Sequence, residues 1–476
     1  MAFDYTNYYE LNYIESTGTQ YINTGTPIGA NYKVDGVFSL PAIQSDKYFF
    51  GVRGRSADMA YTFAVVQYSA TSVWASYDNN HDSDWIQKTF NWVANTDYHI
   101  VLDMKSGSQL FSINDNVLST GSLSFSSNSE RPLYIFAFNN NGTAGNLSSQ
   151  KCKSLKIYYN DELIRDFVPA MRKSDYVVGL YDSVNNQFYT NVGSGTFQYG
   201  GIVADKSEFD GLDYIQSSGT QGIITDVQTT SELKVDIVYS NISVSSTQYV
   251  FGGGDGWENN MLAITQYPLF GFANTSTIRN IPNELNKKYN AIVNKNAIEF
   301  FYDGTRIYSN SYAYSSFSSK YSLALFGTNF ANTLNQFASI KLYSCKIYSN
   351  DTLVRNFIPA KHKTYSNLIG LYDTVNGVFY TNKGTGTFTY GSVLSEYTLS
   401  LSTNPVDIGA LTGAGTYYEG EEVTATWQGD PTINYTFNRW TSGGTNVSIS
   451  PTYTFIINSN TSLVAQLDKF GRCILL

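Results

Sequence analysis

The sequence is poor in the residues on which most metal and disulfide chemistry depends. Its 476 residues include three cysteines and three histidines, and only 14% are charged, against roughly a quarter in an average soluble domain. Three cysteines are too few for a disulfide framework. His81, His99 and His362 lie far apart along the chain, so no pair has the spacing of a zinc site. The sequence therefore argues against a disulfide-stabilised fold and a histidine-based zinc enzyme.

Long apolar runs and clusters of positive charge are also missing. No run approaches the length of a membrane-spanning helix, and the opening "MAFDYTNYYELNYIE" has neither the basic nor the apolar region of a secretory signal. The net charge is -9 and lysines and arginines do not cluster, so a groove that follows a phosphate backbone is not expected. We expect a soluble protein with neither a membrane nor nucleic acid as partner.

Aromatic and turn-forming residues are abundant instead, with 39 tyrosines, 29 phenylalanines and 38 glycines. Runs such as "KVDGVFSL", "AYTFAVVQY" and "YHIVLDM" alternate in hydrophobicity, and Gly, Asn and Ser separate them. This pattern is typical of short strands joined by tight turns. The sequence predicts an all-β fold made of jelly-roll β-sandwiches, each with two sheets packed face to face.

An internal repeat sets the domain organisation. The stretch "GLYDSVNNQFYTNVGSGTFQYG" (179–200) returns as "GLYDTVNGVFYTNKGTGTFTYG" (370–391), with 16 of 22 positions identical. Such a repeat indicates two tandem modules, and a third composition begins near Tyr397. The predicted parts are an N-terminal arm (1–12), a first sandwich (13–200), a linker (201–213), a second sandwich (214–391), a small all-β domain (397–467) and a tail (468–476).

The repeated stretch is interpreted as a hairpin and not as a binding site. Asn185-Asn186 and Asn376-Gly377 are predicted to be the central residues of a type I′ turn, in which both φ angles are positive. Upstream, Arg165 and Asp166 could form a ligand clamp, but the second copy has Asn356 in place of the acid. We therefore predict an arginine on an edge strand that ends at the following proline.

One loop of the first copy has the composition of a calcium site. In "DNNHDSDW", the residues Asp78, Asn80, Asp82 and Asp84 alternate as oxygen donors, which Ca²⁺ prefers. The loop lacks the glycine and the bidentate glutamate of an EF-hand. It is predicted to be either a Ca²⁺ site or a solvated polar loop, and no other cofactor is expected.

Tryptophans beside polar turns are candidates for ligand binding. An exposed aromatic ring can stack on a sugar, while Asp and Asn side chains bond to its hydroxyl groups. The alternative is that each tryptophan belongs to the core of a sandwich. The candidate ligand-binding residues are Trp74, Asp78, Asn80 and Trp85 in the first copy and Asp255, Trp257 and Asn259 in the second.

Catalytic motifs are not found. Glycosidases need paired carboxylates, and the nearest string, "EFDGLD" with Glu208, Asp210 and Asp213, is interrupted by glycine and falls in the predicted linker. No nucleophile elbow or phosphate-binding loop is present. We predict a non-enzymatic protein without catalytic residues, with glycan hydrolysis as the enzymatic alternative.

Several of these motifs resemble known modules. "YIESTGTQYINTG", "KIYYNDELIRDFVPAMRK" and "FYTNVGSGTF" resemble concanavalin A-like jelly-roll modules of the laminin-G or pentraxin type, which are common in tailed phages of gut bacteria and in proteins of their hosts. "GAGTYYEGEEVTATW" and "YTFNRWTSGG" are similar to the internalin-type bacterial surface repeat. Together they imply an adhesin-like, multi-domain display protein. Because the opening residues do not form a secretory signal, we expect a head-fibre, tail-fibre or decoration protein of a phage virion in preference to a bacterial surface protein.

The resemblance also implies partners and a location. A virion fibre would dock onto other virion proteins through the N-terminal arm or the tail, form a homo-oligomer such as a trimer, and contact host-surface or gut polysaccharide. The alternatives are a purely structural capsid or tail component and an adhesin on a bacterial cell surface.

Overall fold

The chain is built of β-strands. The computed structural model describes residues 2–54, 62–78, 85–122, 128–245, 247–267, 269–278, 284–311, 315–365, 367–429 and 434–469. Over these ranges the strands are interrupted by one turn of 3-10 helix at Lys206–Glu208, and no α-helix occurs. Within the same ranges, no helix is long and apolar enough to cross a membrane. The all-β prediction is confirmed.

The first sandwich packs a larger sheet, in the order β11-β10-β9-β4-β15-β16-β17-β18, on a smaller one, β14-β13-β5-β6-β7-β8, with the other strands joined at their sides. Large side chains such as Phe38, Phe49 and Phe167 are fully buried between them. The strands are β1 (Tyr8–Glu10), β2 (Ile14–Glu15), β3 (Ile22–Gly29), β4 (Tyr32–Ser39), β5 (Lys47–Arg53), β6 (Thr62–Ser69), β7 (Ser72–Asp78), β8 (Ile86–Thr89), β9 (Asp97–Asp103), β10 (Gln109–Ile113), β11 (Asn116–Gly121), β12 (Asn128–Ile135), β13 (Phe138–Asn140), β14 (Thr143–Gly145), β15 (Lys151–Tyr159), β16 (Glu162–Arg172), β17 (Val178–Asp182), β18 (Gln187–Thr190) and β19 (Gln198–Tyr199).

The second sandwich repeats this topology, with a larger sheet β20-β38-β37-β36-β35-β24-β29-β30-β31 and a smaller sheet β23-β32-β25-β26-β27-β28. Its own apolar cluster includes Phe251, Phe326 and Phe357. The strands are β20 (Ile202–Val203), β21 (Phe209–Gly211), β22 (Ile215–Gln216), β23 (Ile223–Thr230), β24 (Leu233–Asn241), β25 (Tyr249–Gly254), β26 (Met261–Thr265), β27 (Leu269–Ala273), β28 (Thr275–Ile278), β29 (Tyr289–Val293), β30 (Ala297–Tyr302), β31 (Thr305–Ser311), β32 (Ser318–Leu325), β33 (Thr328–Phe330), β34 (Thr333–Asn335), β35 (Ile340–Ser349), β36 (Thr352–His362), β37 (Ile369–Asp373), β38 (Val378–Thr381) and β39 (Thr389–Tyr390).

The small C-terminal domain has two sheets around Trp427 and Trp440, in the orders β42-β40-β47-β44-β45 and β41-β43-β46. Its strands are β40 (Glu396–Asn404), β41 (Ala410–Thr412), β42 (Gly415–Tyr418), β43 (Glu422–Gln428), β44 (Tyr435–Ser442), β45 (Thr445–Ser448), β46 (Thr452–Ile456) and β47 (Thr461–Lys469).

The start of each sandwich differs from the boundaries drawn on the sequence. In the expected arm, β1 pairs with β16 through Tyr8 and Arg172. In the expected linker, β21 pairs with β36 in the same way through Phe209 and His362. These two stretches are therefore equivalent first strands of the two copies, and each belongs to its own sheet.

The segment between the sandwiches bonds to both of them. The amide of Asn12 donates to the carbonyl of Gly201 at 3.0 Å, while Ile202 pairs with Phe379 at the edge of the second sandwich. The C-terminal domain is attached next to it, because the Tyr418 hydroxyl donates to the Phe209 carbonyl at 2.8 Å. Residues 201–211 therefore contact all three domains.

The hairpin of the repeated stretch forms, but the predicted turn type is wrong. Strands β17 and β18 close through Asp182 and Gln187, and of the central residues only Asn186 and its counterpart Gly377 have positive φ, at 55° and 65°. The reason is the Asp182 carboxylate, which accepts hydrogen bonds from the Val184 amide at 3.1 Å and the Asn185 side chain at 2.7 Å. These bonds hold a longer four-residue turn.

The prediction of an edge-strand arginine is also wrong. Strand β16 lies between β15 and β17, and Pro169 is inside it, paired with Leu180. The arginine has a buried partner that the sequence did not reveal: Arg165 Nε lies 3.5 Å from Oδ2 of the fully buried Asp182. Arg355 and Asp373 repeat the contact at the same distance in the second copy.

Candidate functional site

The outer face of the smaller sheet of the first sandwich carries an apolar cluster of its own. Alternation along β6 and β7 directs every second side chain away from the core. In β5 a bulge between Tyr48 and Phe50 leaves Phe49 and Phe50 in the core and Tyr48 on the outer face. Tyr48, Ala64, Val66 and Phe138 are buried on this outer face, and two tryptophans pack against them. A sheet face turned to solvent is normally polar, so this cluster needs a separate explanation.

Aromatic rings line this face in two stacks. Tyr68 and Trp74 stack with ring centroids 3.4 Å apart and planes 10° apart, and Trp85 follows at 6.2 Å from Trp74. Tyr48 stacks on Phe138 at 4.6 Å. Tyr68 is 41% exposed, so its ring presents a flat apolar surface to solvent.

The rings line a groove of about 200 Å³ that has charged residues on its walls. Asp46 precedes β5 and Arg53 ends it, which separates them along the strand by roughly 20 Å at 3.3 Å per residue. Burial raises the pKa of the Tyr48 hydroxyl; the charge of Asp46 adds to this effect and that of Arg53 opposes it. The hydroxyl is therefore protonated at neutral pH and can donate a hydrogen bond.

The floor of the groove depends on a glycine. A Cβ atom at Gly51 would lie 2.8 Å from the ring of Phe138 and 3.0 Å from Cβ of Ala64. Phe138 can lie flat beside Tyr48 only because this side chain is missing.

The second sandwich keeps the sheet but not the groove. Tyr249 corresponds to Tyr48 by sequence, whereas Gly254 stands in place of Arg53 and Thr328 in place of Phe138. Thr328 packs over Gly252, the counterpart of Gly51. The aromatic groove is thus a property of the first copy and is not required by the fold.

The predicted ligand-binding residues fall in two places. Trp74 and Trp85 both line the groove. Asp78 ends β7 opposite Thr62, and the predicted residues Asn80, Asp82 and Asp84 lie outside the described residues. The predicted Ca²⁺ site therefore stays a prediction.

The other three predicted residues form a turn in the second sandwich. The amide of Asp255 donates to the carbonyl of Asn259 at 3.1 Å, and its carboxylate accepts from Asn260 at 2.8 Å and Ser319 at 2.7 Å. Trp257 is 42% exposed and its ring is 6.0 Å from that of Tyr249. The carboxylate is thus already bonded within the protein.

Sequence reasoning missed most of the groove. Tyr68 follows Val66 and Ala64 at period two in "AVVQY", and this alternation could have placed it on the same face. Phe138 reaches the groove from β13, which pairs with β5 in parallel. No local feature of the sequence predicts that pairing.

The acids of the carboxylate string and the potential metal ligands can be located in the described part of the chain. No three or more His, Cys, Asp or Glu side chains meet there as a metal-binding group. Of the acids in "EFDGLD", Asp210 pairs with Lys361 at 2.6 Å and Glu208 caps the 3-10 turn. Both acids thus make structural contacts.

Comparison with known proteins identifies one part of the chain. Residues 399–469 match the family model of the divergent InlB B-repeat domain, as expected for the small C-terminal domain. No curated protein matches the sequence.

Among solved structures, domains LG4-5 of the mouse laminin alpha1 chain are similar with 10% identity and a TM-score of 0.30, covering 74% of this chain and 94% of that one. The NanB sialidase of Streptococcus pneumoniae is similar with 8% identity and a TM-score of 0.26, covering 98% of this chain and 82% of that one. Likeness of this degree says nothing about activity.

Proposed function

We propose that this chain is a non-enzymatic attachment protein that binds a polysaccharide in the aromatic groove of its first sandwich. The observation that carries the proposal is the Tyr68–Trp74 stack continued by Trp85 on an outer sheet face. The C–H faces of a sugar ring are apolar and stack on such surfaces, and its hydroxyls then face the charged groups at the groove walls.

The groove is a preorganised binding site. Its rings are held by stacking on one another and by the cluster beneath them, so little side-chain entropy is lost when a ligand docks. Asp46 accepts a hydrogen bond from the Asn146 side chain, which positions its carboxylate at the rim. Arg53 places a positive charge on the groove wall at the other end of β5.

A glycan array followed by titration calorimetry of the best ligand tests the proposal. Trp74→Ala should weaken binding by about tenfold or more, as for a central aromatic anchor. Tyr267→Ala is the matched control, because it removes an exposed aromatic ring from the other sandwich, outside the candidate ligand-binding residues, and should leave the affinity unchanged. Equal loss in both variants, or no glycan bound by the wild type, would refute the groove as the site.

On the sequence resemblance, we further propose that the protein is a fibre or decoration component of a phage virion. It would form a homo-oligomer, such as a trimer, on other virion proteins. The stretch at 8–12 is hydrogen-bonded within the protein, and Asp468 and Lys469, the first residues of the predicted tail, belong to β47. We therefore propose residues 470–476 as the docking segment. Deleting 470–476 should abolish incorporation into particles, and analytical ultracentrifugation should give three times the chain mass.

A second candidate function is adhesion from a bacterial cell surface. The match of residues 399–469 to the divergent InlB B-repeat domain favours it. Immunogold labelling of infected and uninfected cells separates the two, because a virion protein is found only on particles. A third outcome, particle labelling with a silent glycan array, would indicate a purely structural component.

A further inference from the structure

A second cavity, of about 520 Å³, lies between the two sandwiches. Its volume is within the range of small-molecule sites. Both copies supply its walls, which include Tyr13, Glu15, Lys151 and Tyr199 from the first sandwich and Asp226, Lys320, Asn329 and Lys383 from the second.

Polar contacts across the cavity connect the sandwiches. The Tyr13 hydroxyl donates to Asp226 Oδ1 at 2.6 Å, and Lys383 Nζ donates to the Tyr199 carbonyl at 2.9 Å. The same ammonium group lies 3.2 Å from the centre of the Tyr199 ring. The walls are thus held in place from both sides.

Two buried acceptors at this cavity have no partner in the described part of the chain: Asp226 Oδ2 and Asn329 Oδ1. Asn329 is only 2% exposed. Its counterpart in the first copy, Asn139, accepts from the Gly142 amide at 2.7 Å. A buried acceptor without a donor costs about 1–3 kcal/mol, so these atoms favour a donor that occupies the cavity.

The charged groups of the cavity are specific to the copy in which they occur. Glu15 corresponds to Gln216, Asp226 to Gly25, and Lys383 to Val192. The framework around them repeats: Lys151 and Lys341 are equivalent, and each lies over a tyrosine, at 4.1 and 4.5 Å. Glu15, Asp226 and Lys383 are therefore not part of the repeated framework, because the equivalent positions of the other copy are uncharged.

We propose that this inter-sandwich cavity binds a neutral, hydroxyl-rich molecule, such as a single sugar unit. Two carboxylates, Glu15 and Asp226, and three lysines, Lys151, Lys320 and Lys383, line the cavity. Burial lowers the pKa of Lys383 and weakens its charge, so the charges nearly balance and no strong charge selects an ion. The unpartnered acceptors need donors, which hydroxyls supply. Lysine ammonium groups cover the Tyr13 and Tyr199 rings, so hydrogen bonding, and not stacking, would hold the ligand.

Electrostatics agree with a neutral ligand. Burial lowers the pKa of Lys383 to about 7, against the opposing charges of Asp226 and Glu15. Burial also raises the pKa of Glu15, which the charge of Lys151 counteracts. At neutral pH the site thus carries little net charge, and Lys383 can either donate or accept a hydrogen bond.

Saturation-transfer NMR with the methyl glycosides of glucose, galactose and mannose tests this proposal separately from the groove. The protein carries Trp74→Ala, and at least one glycoside should still show transfer. Asp226→Gly should abolish that transfer and Glu15→Gln should weaken it. Both variants introduce the residue of the other copy, and glycine suits the φ of 58° at Asp226.

Each outcome decides the proposal. Transfer that survives Trp74→Ala and is lost in Asp226→Gly supports it, provided that the melting temperature shows a folded protein. Transfer lost in Trp74→Ala belongs to the groove and overturns the cavity proposal alone. Absence of transfer with all three glycosides, or transfer that neither cavity variant reduces, overturns it as well and leaves a water-filled interface.

Discussion

Replacing Asp182 by alanine should destabilise the first sandwich by about 3 kcal/mol and leave the second unchanged. The carboxylate is fully buried and accepts bonds from the Asp166 amide at 3.0 Å, the Val184 amide at 3.1 Å and the Asn185 side chain at 2.7 Å. The Asp166 and Val184 amides bond to Oδ1, and Oδ2, which accepts from Asn185, also lies 3.5 Å from Arg165 Nε. Removing one partner of a buried pair costs about 3–5 kcal/mol, and the lower figure applies because Arg165 is 23% exposed.

Hydrogen exchange measured by mass spectrometry suits this prediction, because a chain of several domains does not unfold in two states. A loss of about 3 kcal/mol should speed exchange in β16, β17 and β18 by roughly a hundredfold. Peptides of the second copy, where Asp373 has the same partners, provide the internal reference. Asp373→Ala should reverse the pattern.

Asp166→Asn is the matched control. The Asp166 carboxylate accepts from the Ser183 hydroxyl at 2.9 Å, and the second copy makes the equivalent contact between Asn356 and Thr374 at 2.8 Å. This variant should change stability by less than about 0.5 kcal/mol. If Asp182→Ala speeds exchange by no more than the control does, the buried pair is not what stabilises the hairpin.

Three further predictions concern the groove, the cavity and the C-terminal domain. Gly51→Ala should weaken glycan binding, because its Cβ would displace Phe138; calorimetry checks this, and unchanged affinity contradicts it. Because the pKa of Lys383 is lowered from 10.5 to about 7, the unfolded chain binds the extra proton and stability should rise between pH 7 and 9.5, by at most about 1.4 kcal/mol per pH unit. Lys383→Val should flatten that rise in thermal melts, and equal slopes would be evidence against it. Tyr418→Ala should expose the junction near residue 395 to proteases, because the buried Tyr418 ring packs on Gly211; an unchanged cleavage rate contradicts this.

The sequence predicts well what depends on local pattern. Alternating apolar residues gave the strands, and the repeat gave two copies of one topology. The prediction of the turn type failed because the Asp182 side chain accepts hydrogen bonds from the Val184 amide and the Asn185 side chain. Residue preferences for positive φ do not take such bonds into account. The edge-strand assignment failed because pairing of β16 on both sides is not visible in its own residues.

The candidate sites depend on contacts between distant residues, and this limits sequence reasoning. Trp74 and Trp85 were found because each is an uncommon residue beside a polar turn. Tyr13 and Asp226 are 213 positions apart, and only the docking of one sandwich on the other brings them together. The differences between Glu15 and Gln216 or between Lys383 and Val192 are visible in the repeat, but their common location is not.

The junction at residues 201–204 has a mechanical consequence. Gly201 bonds to Asn12 of the first sandwich, and Ile202 and Val203 extend the sheet of the second through β38. The buried cluster of the first sandwich also continues into Phe209 and Phe379. A force that pulls the chain ends apart would act on hydrogen-bonded strands at this junction and not on a flexible linker. Load would pass directly from one sandwich to the next, and the pair should resist extension as a single stiff unit.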